Sequence, residues 1–431
     1  MEVAHGKREE GCSTEEGRSQ ETGRQEGRST EEGRGQETGR QKGREVGSRH
    51  RRRPRLESGS RKEEVNHGRR GPEADWRKAM PNSGSSGTGQ ADSLQANRLA
   101  SSGSGVLRAI GNLHRSLAPL RHRALAAAAE SVPGLYAALL YAQPAQGFDV
   151  RPFLFRCGYE LGRKDFRPVL PIALALQLAN SSTVVVDDIV DHASERDGRP
   201  ALHAEFGPER AILAAQILRS SASQLFLDVL QSEPPLVNGL EAYRRFEQAH
   251  RDLERGQYLD LELACRDLDE DSYFSVIYLT TARLIEASLF IGGLLGAVPE
   301  DALRRLSTFG RVFGLIHQLR DDLADYWPEE FELGRLPGED LRERKQRLPL
   351  LYGLQSKSRK AKELREILGK SRIEHDDVLA VRRILVGLGA FDRVKARMRE
   401  MSREAEECLD RLPQKSPVNT LRKLLRYFST E

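Results

Sequence analysis

The stretch Val169–Asp191, VLPIALALQLANSSTVVVDDIVD, decides the fold of this 431-residue chain. Val169–Ala179 and Val184–Val186 are apolar on nearly every side, and a helix of that kind belongs in a core. The stretch closes on Asp187, Asp188 and Asp191. Residues four apart share a helix face, so Asp187 and Asp191 point the same way. A second stretch, Phe313–Asp325 (FGLIHQLRDDLAD), repeats the arrangement and closes on Asp321, Asp322 and Asp325. Carboxylates this close repel unless cations sit between them, and an all-oxygen donor set suits Mg²⁺, which keeps waters and bridges to phosphates. In a chain that is 31% charged, one Asp-Asp-x-x-Asp run is most often a solvated face or a helix cap. Two such runs, each ending an apolar helix, predict instead that facing helices enclose a cavity for a metal-bound diphosphate.

Outward from these helices, residues 106–431 read as one all-α domain. Helical apolar spacing covers Leu120–Glu130, Pro208–Leu230, Gly239–Ala264, Asp271–Leu295 and Asp301–Tyr326, and strand signals are lacking. Residues 1–105 are rich in Gly, Arg, Glu, Gln and Ser, with little to bury, which predicts a disordered tail. The tail carries a 16-residue imperfect repeat at Gly17–Glu32 and Gly33–Ser48, and a basic run at 49–55 that reads as a solvated segment, with contact to anionic lipid or nucleic acid as the alternative. With 68 basic and 64 acidic residues, the net charge of +4 gives no case for nucleic-acid binding. Cys12, Cys157, Cys265 and Cys408 are scattered without metal-ligand spacing, as expected of a cytoplasmic chain. No secretory signal opens the sequence, and its best continuous apolar run, Leu289–Val298, is too short to span a bilayer.

From about Val106 onward the chain resembles the trans-prenyltransferase (polyprenyl synthetase) family. Gly162–Pro168 resembles the family's Gly-Gly-Lys-Arg-x-Arg-Pro, and the two aspartate clusters resemble its two aspartate motifs. Arg196–His203 resembles its Arg-Arg-Gly-x-Pro-Thr-x-His, Gly256-Gln257 with Asp260 its Gly-Gln-x-x-Asp, and Lys345 its Gly-Lys-x-Thr-Leu-Pro lysine. The resemblance implies antiparallel helices around a deep central cavity, the isoprenoid synthase fold. It also implies a homodimer, with a mixed dimer as the other option, and brief membrane contact through a lipophilic product. The implied reaction ionises an allylic diphosphate and joins it to isopentenyl diphosphate, with Mg²⁺ held by Asp187, Asp188, Asp191, Asp321, Asp322 and Asp325. Arg196 and Lys345 would contact the allylic diphosphate, and Lys164 and Arg167 the isopentenyl diphosphate. Asn180, Gln257, Gln318 and Thr281 complete the implied substrate contacts, with Asp260 beside them; for Gln257 and Asp260 an ordinary polar role is an equal alternative.

Several residues depart from the family pattern. Thr280 stands where the family has a lysine, with Arg283 one turn along; Asp197 replaces an arginine, Asn180 a histidine, Asp165 an arginine, and Ala215-Gln216 a Gly-Asp pair. At ~5 Å from a phosphate, a unit charge is worth about 3 kcal/mol at an effective dielectric of ~20, so inverting one matters. The six aspartates survive while diphosphate-binding cations are lost. Condensation therefore competes with two other readings: a class I terpene synthase using one prenyl diphosphate, and a non-catalytic subunit of a heteromeric enzyme. The product chain would run down the helix ahead of Asp187, with Thr183, Ser182 and Ala179 as its wall and Leu176 as a lower stop. This wall is small, so the expected product is of geranylgeranyl length or longer.

Overall fold

A computed structural model describes residues 105–144, 149–231, 238–263, 268–327, 338–413 and 415–429. The tail and its repeats lie outside the described residues. Helix α1 spans Gly105–Ala129, α2 Pro133–Tyr141 and α3 Val150–Glu160. After a 3-10 turn at Arg167–Val169 comes α4, Leu170–Val190, entered through Pro171 in its first turn, where a missing N–H costs nothing. Ile172–Ala179 is buried throughout, as its all-round apolarity requires.

Four more helices follow: α5 (Leu202–Phe206), α6 (Pro208–Leu230), α7 (Gly239–Leu263) and α8 (Glu270–Ile277). Helix α8 continues through a π turn at Tyr278–Ala282 into α9, Arg283–Leu295. Helix α10, Glu300–Ala324, starts with Glu300 and Asp301 at its positive end and packs along α9. The chain ends with α11 (Glu339–Arg342), α12 (Leu348–Leu354), α13 (Arg359–Leu368), α14 (His375–Gly387), α15 (Ala390–Asp410) and α16 (Ser416–Ser429). The all-α fold is as expected. Helix α4 packs on α6, α9 on α3, α7 and α10, and α10 on α15 and α16.

Three details differ from the sequence reading. Glu195-Arg196 and Arg199-Pro200 pair as a two-stranded antiparallel ribbon. Its turn is Asp197-Gly198 with φ of 55° and 73°, the left-handed pair that a two-residue hairpin needs and that Asp-Gly favours. Two continuous helical stretches are also longer than the apolar run Leu289–Val298, because 3-10 and π turns join neighbouring segments. Arg167–Val190 and Glu270–Leu295 are long and apolar enough to cross a membrane, although 72% and 56% of their apolar windows are buried inside the protein. Finally, helix formation begins at Gly105, one residue ahead of Val106, from which helical apolar spacing is read in the sequence.

Both aspartate clusters occupy the last turns of their helices: Asp191 caps α4 and Asp325 caps α10. A helix C-terminus is its negative end, where a carboxylate is disfavoured by about 0.3–1 kcal/mol. Stability alone does not place acids there.

Candidate functional site

The two acidic helix ends open onto one cavity of about 370 Å³. Asp187 and Asp191 line it from α4 and Asp321 from α10. Asn180 and Thr183 line it from α4, Gln257 and Asp260 from α7, Thr280 and Thr281 from the π turn, and Gln318 from α10. Arg196 and Lys345 complete the set that the sequence places here. In an α-helix consecutive side chains diverge by about 100°; the π turn lets neighbours Thr280 and Thr281 share this wall.

Three close backbone approaches bring the walls together. A Cβ on Gly256 of α7 would lie 2.6 Å from Leu279 Cβ, and one on Gly314 of α10 would lie 2.5 Å from Ala282 Cα. A Cβ on Gly310 would lie 2.8 Å from Glu286 Cα. Glycine at these positions seats α7 and α10 directly against the π turn and the first turn of α9, beside Gln257, Gln318 and Asp321 on the cavity wall.

The remaining aspartates face protein partners. Asp188 accepts two bonds from Arg196, one from Nε at 2.9 Å, and burial pushes its carboxyl up against the pull of Arg196. Asp322 is fully buried, accepting from the Tyr273 hydroxyl and, at 3.0 Å, from Gln318 Nε2. Gln318 Oε1 in turn accepts from Thr281 Oγ1 at 2.6 Å. Burial, with Asp340 adding to it against Arg347, raises the Asp322 carboxyl to about 6. Asp325 holds the backbone of the segment beyond α10: its Oδ1 accepts from Glu339 N at 3.0 Å and its carbonyl from Gly338 N at 2.8 Å.

On the open wall, Gln257 Nε2 donates to Asp187, and Lys345 Nζ bonds Asp191 while lying 3.1 Å from Glu343. Burial and the neighbouring Asp187 raise the Asp191 carboxyl to about 6 even with Lys345 attached, and burial raises Glu343 to about 7. Burial works against the charge on Lys345, yet Asp187, Asp340 and Asp191 hold its ammonium above the ordinary lysine range. The cavity lining as a whole has nine acidic side chains and four basic ones, a formal charge of −5.

Some sequence-predicted residues are elsewhere. Lys164 and Arg167 are exposed and off the cavity wall; Arg167 is clamped to Asp165, its NH2 2.8 Å from Oδ2. Arg283 is buried against Asp252, with Nε donating at 3.0 Å, so it does not turn toward the cavity at Thr280. Ser182 and Ala179 are buried behind Thr183, whose Oγ1 donates to the Asn180 carbonyl at 2.8 Å.

Two lining cations escaped the sequence reading. Arg151, at the start of α3, has a buried Nε with no hydrogen-bond partner, while its NH1 lies 3.4 Å from Asp149. Among the described residues Arg-Pro pairs stand at Arg151-Pro152, Arg167-Pro168 and Arg199-Pro200, and of their arginines only Arg151 lines the cavity. Arg347 is the second; it lies in the charge run Arg342–Arg347, which reads as solvated.

The donor set passes a test for a divalent cation. All candidate ligands are carboxylates, and their mutual repulsion and burial raise Asp191. Among the described residues no three His, Cys, Asp or Glu groups converge closely enough to hold a metal by themselves. One or two carboxylates per ion, completed by substrate phosphates and water, is the way Mg²⁺ is usually bound.

Comparison with known proteins agrees with this geometry. Residues 132–385 match the polyprenyl synthetase family. A geranylgeranyl diphosphate synthase of Methanosarcina mazei is 32% identical over 64% of this chain and 83% of its own length. A nonaprenyl diphosphate synthase of Mycobacterium tuberculosis is 28% identical over 67% of this chain and 84% of its own. The crystal structure of a geranylgeranyl pyrophosphate synthetase from Pyrococcus horikoshii superposes with a TM-score of 0.66 at 26% identity, covering 74% of this chain and 98% of that one. With two aspartate-tipped helices facing one cavity and this match across most of its described length, the chain belongs to the polyprenyl synthetase family of prenyltransferases.

Proposed function

We propose that this chain is a Mg²⁺-dependent isoprenyl diphosphate synthase, condensing an allylic diphosphate with isopentenyl diphosphate to a product of geranylgeranyl length or longer. The observation that carries the reading is Asp187 and Asp191 facing Asp321 across one cavity of formal charge −5. A trianionic diphosphate cannot enter such a cavity by itself. Mg²⁺ held by these carboxylates would supply the missing charge and stabilise the diphosphate as its C–O bond breaks.

The chain's own groups do the positioning. Gln257 and Lys345 fix the rotamers of Asp187 and Asp191, while Arg196 is fixed on Asp188 at the cavity edge. The Thr281–Gln318–Asp322–Tyr273 relay locks α10 against the π turn. Small, buried Ser182 and Ala179 beneath Thr183 support a long product.

A single-substrate reaction, as in a class I terpene synthase, has one observation in its favour: Lys164 and Arg167, the two cations assigned to isopentenyl diphosphate, lie outside the cavity. One experiment separates the readings. The full-length protein with Mg²⁺ is given farnesyl or geranylgeranyl diphosphate, with and without labelled isopentenyl diphosphate, and every product is identified by mass. Label in an elongated diphosphate is the expected result. A hydrocarbon or alcohol formed without isopentenyl diphosphate would establish the cyclase, and no product in any arm would move the weight to a non-catalytic subunit.

A further inference from the structure

Arg347 lines the cavity two residues after Lys345, on the tight turn leading into α12, which Arg347 N closes by donating to the Lys345 carbonyl at 3.1 Å. Lys345 reaches the first acidic cluster while Arg347 lies beside the second. The two cations differ in how fully they are engaged. Lys345 bonds Asp191 and sits 3.1 Å from Glu343. Arg347 NH2 donates to Asp340 Oδ1 at 3.2 Å, but its Nε is buried without a hydrogen-bond partner, 3.9 Å from Asp322 Oδ1. Both Asp322 oxygens already accept, one from Tyr273 and one from Gln318. Burial disfavours the Arg347 charge, yet Asp340, Asp322 and Asp260 together hold it protonated.

A buried donor left unmade is costly, and a guanidinium presents its donors as a rigid planar fork. The natural complement of that fork is a pair of phosphoryl or carboxyl oxygens. Carboxylates of the cavity wall are already placed, and they leave the Nε donor unfilled. We propose that Arg347 binds the substrate's diphosphate directly, at the point between the two acidic clusters where metal-held phosphoryl oxygens would sit. The assignment rests on the prenyl diphosphate reading above and adds to it a contact that the aspartate motifs do not contain. In the absence of substrate the same side chain serves as counter-ion to Asp340 and Asp322; on binding, the phosphoryl oxygens take up its free donor.

The test is calorimetric titration of the full-length protein with Mg²⁺ alone, then with inorganic pyrophosphate and farnesyl diphosphate in excess Mg²⁺. For Arg347→Met the expected result is pyrophosphate and farnesyl diphosphate affinities each weakened at least about tenfold, with Mg²⁺ affinity within about twofold of wild type. Arg347→Gln keeps a donor for Asp340 without the charge, and should show the same split if the Met variant does not fold. Wild-type pyrophosphate affinity in a folded variant overturns the proposal. Equal weakening of Mg²⁺ and pyrophosphate overturns it too, since that is the signature of a purely structural prop for Asp322. If the wild-type protein binds neither diphosphate, the functional reading falls and Arg347's role falls with it; if wild type binds and the variants match it, only Arg347's role is lost.

Discussion

Asp187 and Asp321 are the sharpest tests at the scale of single residues. Asp187→Ala or Asp321→Ala should lower turnover at least about 100-fold, read as labelled product per unit time. The thermal midpoint should hold or rise, because each removed carboxylate sits at the negative end of a helix. The raised groups also fix a pH dependence. Asp191 and Asp322 at about 6 and Glu343 at about 7 all lie above their ordinary carboxyl values, so the folded state binds extra protons. Their contribution to stability is complete below about pH 4 and is lost as pH rises through 6 to 7. A metal-free thermal midpoint that falls over that interval in wild type, with a shallower fall in Asp191→Asn, is the expected outcome of differential scanning fluorimetry. Asp197 illustrates what single-residue reading missed. From sequence it is a charge inversion at a substrate contact; in the structure its φ of 55° makes it the first turn residue of a hairpin. Asp197→Asn keeps the turn and removes the charge, and should lower the KM for isopentenyl diphosphate, whereas Asp197→Arg adds left-handed strain of order 1 kcal/mol.

At the scale of elements, the long helices were legible because their apolar spacing is strong: Pro208–Leu230 coincides with α6, and Asp301–Tyr326 contains nearly all of α10. The π turn was not legible. Nothing in Tyr278–Ala282 marks an i→i+5 bond, which arises from the tight seating of Gly256 and Gly314 against it. Gly314→Val should therefore cost about 1–3 kcal/mol, measured by urea unfolding, and should lower turnover by moving Gln318 and Asp321 away from α7. Helix α4 carries a separate prediction. Ser182→Phe places a ring behind Thr183, and product mass should shift to shorter chains; an unchanged distribution would remove the wall from this helix face.

For the whole molecule, sequence was enough for fold class and for the two acidic helix ends, since both follow from composition and period. It was not enough for Arg151 and Arg347, which line the same cavity as Asp187 although they stand 36 and 160 residues from it along the chain. Nor could it place Lys164 and Arg167, because the segment around Arg167-Pro168 reads locally like the site-lining pair while Asp165 ties Arg167 off at the surface. The cavity's net charge of −5 links site and stability. Mg²⁺ at ten times its dissociation constant should add about 1.4 kcal/mol and raise the thermal midpoint by roughly 2–4 °C, reversed by chelation.

The acidic tips of α4 and α10 also set a limit on directed evolution of this protein. A screen that selects only for survival on heating would collect neutral replacements at Asp187, Asp191 and Asp321, each one relieving repulsion that the native chain tolerates. Such a library would become hardier and inert together. Heat resistance compatible with turnover has to be sought away from these helix ends, or selected with the metal and a diphosphate present throughout.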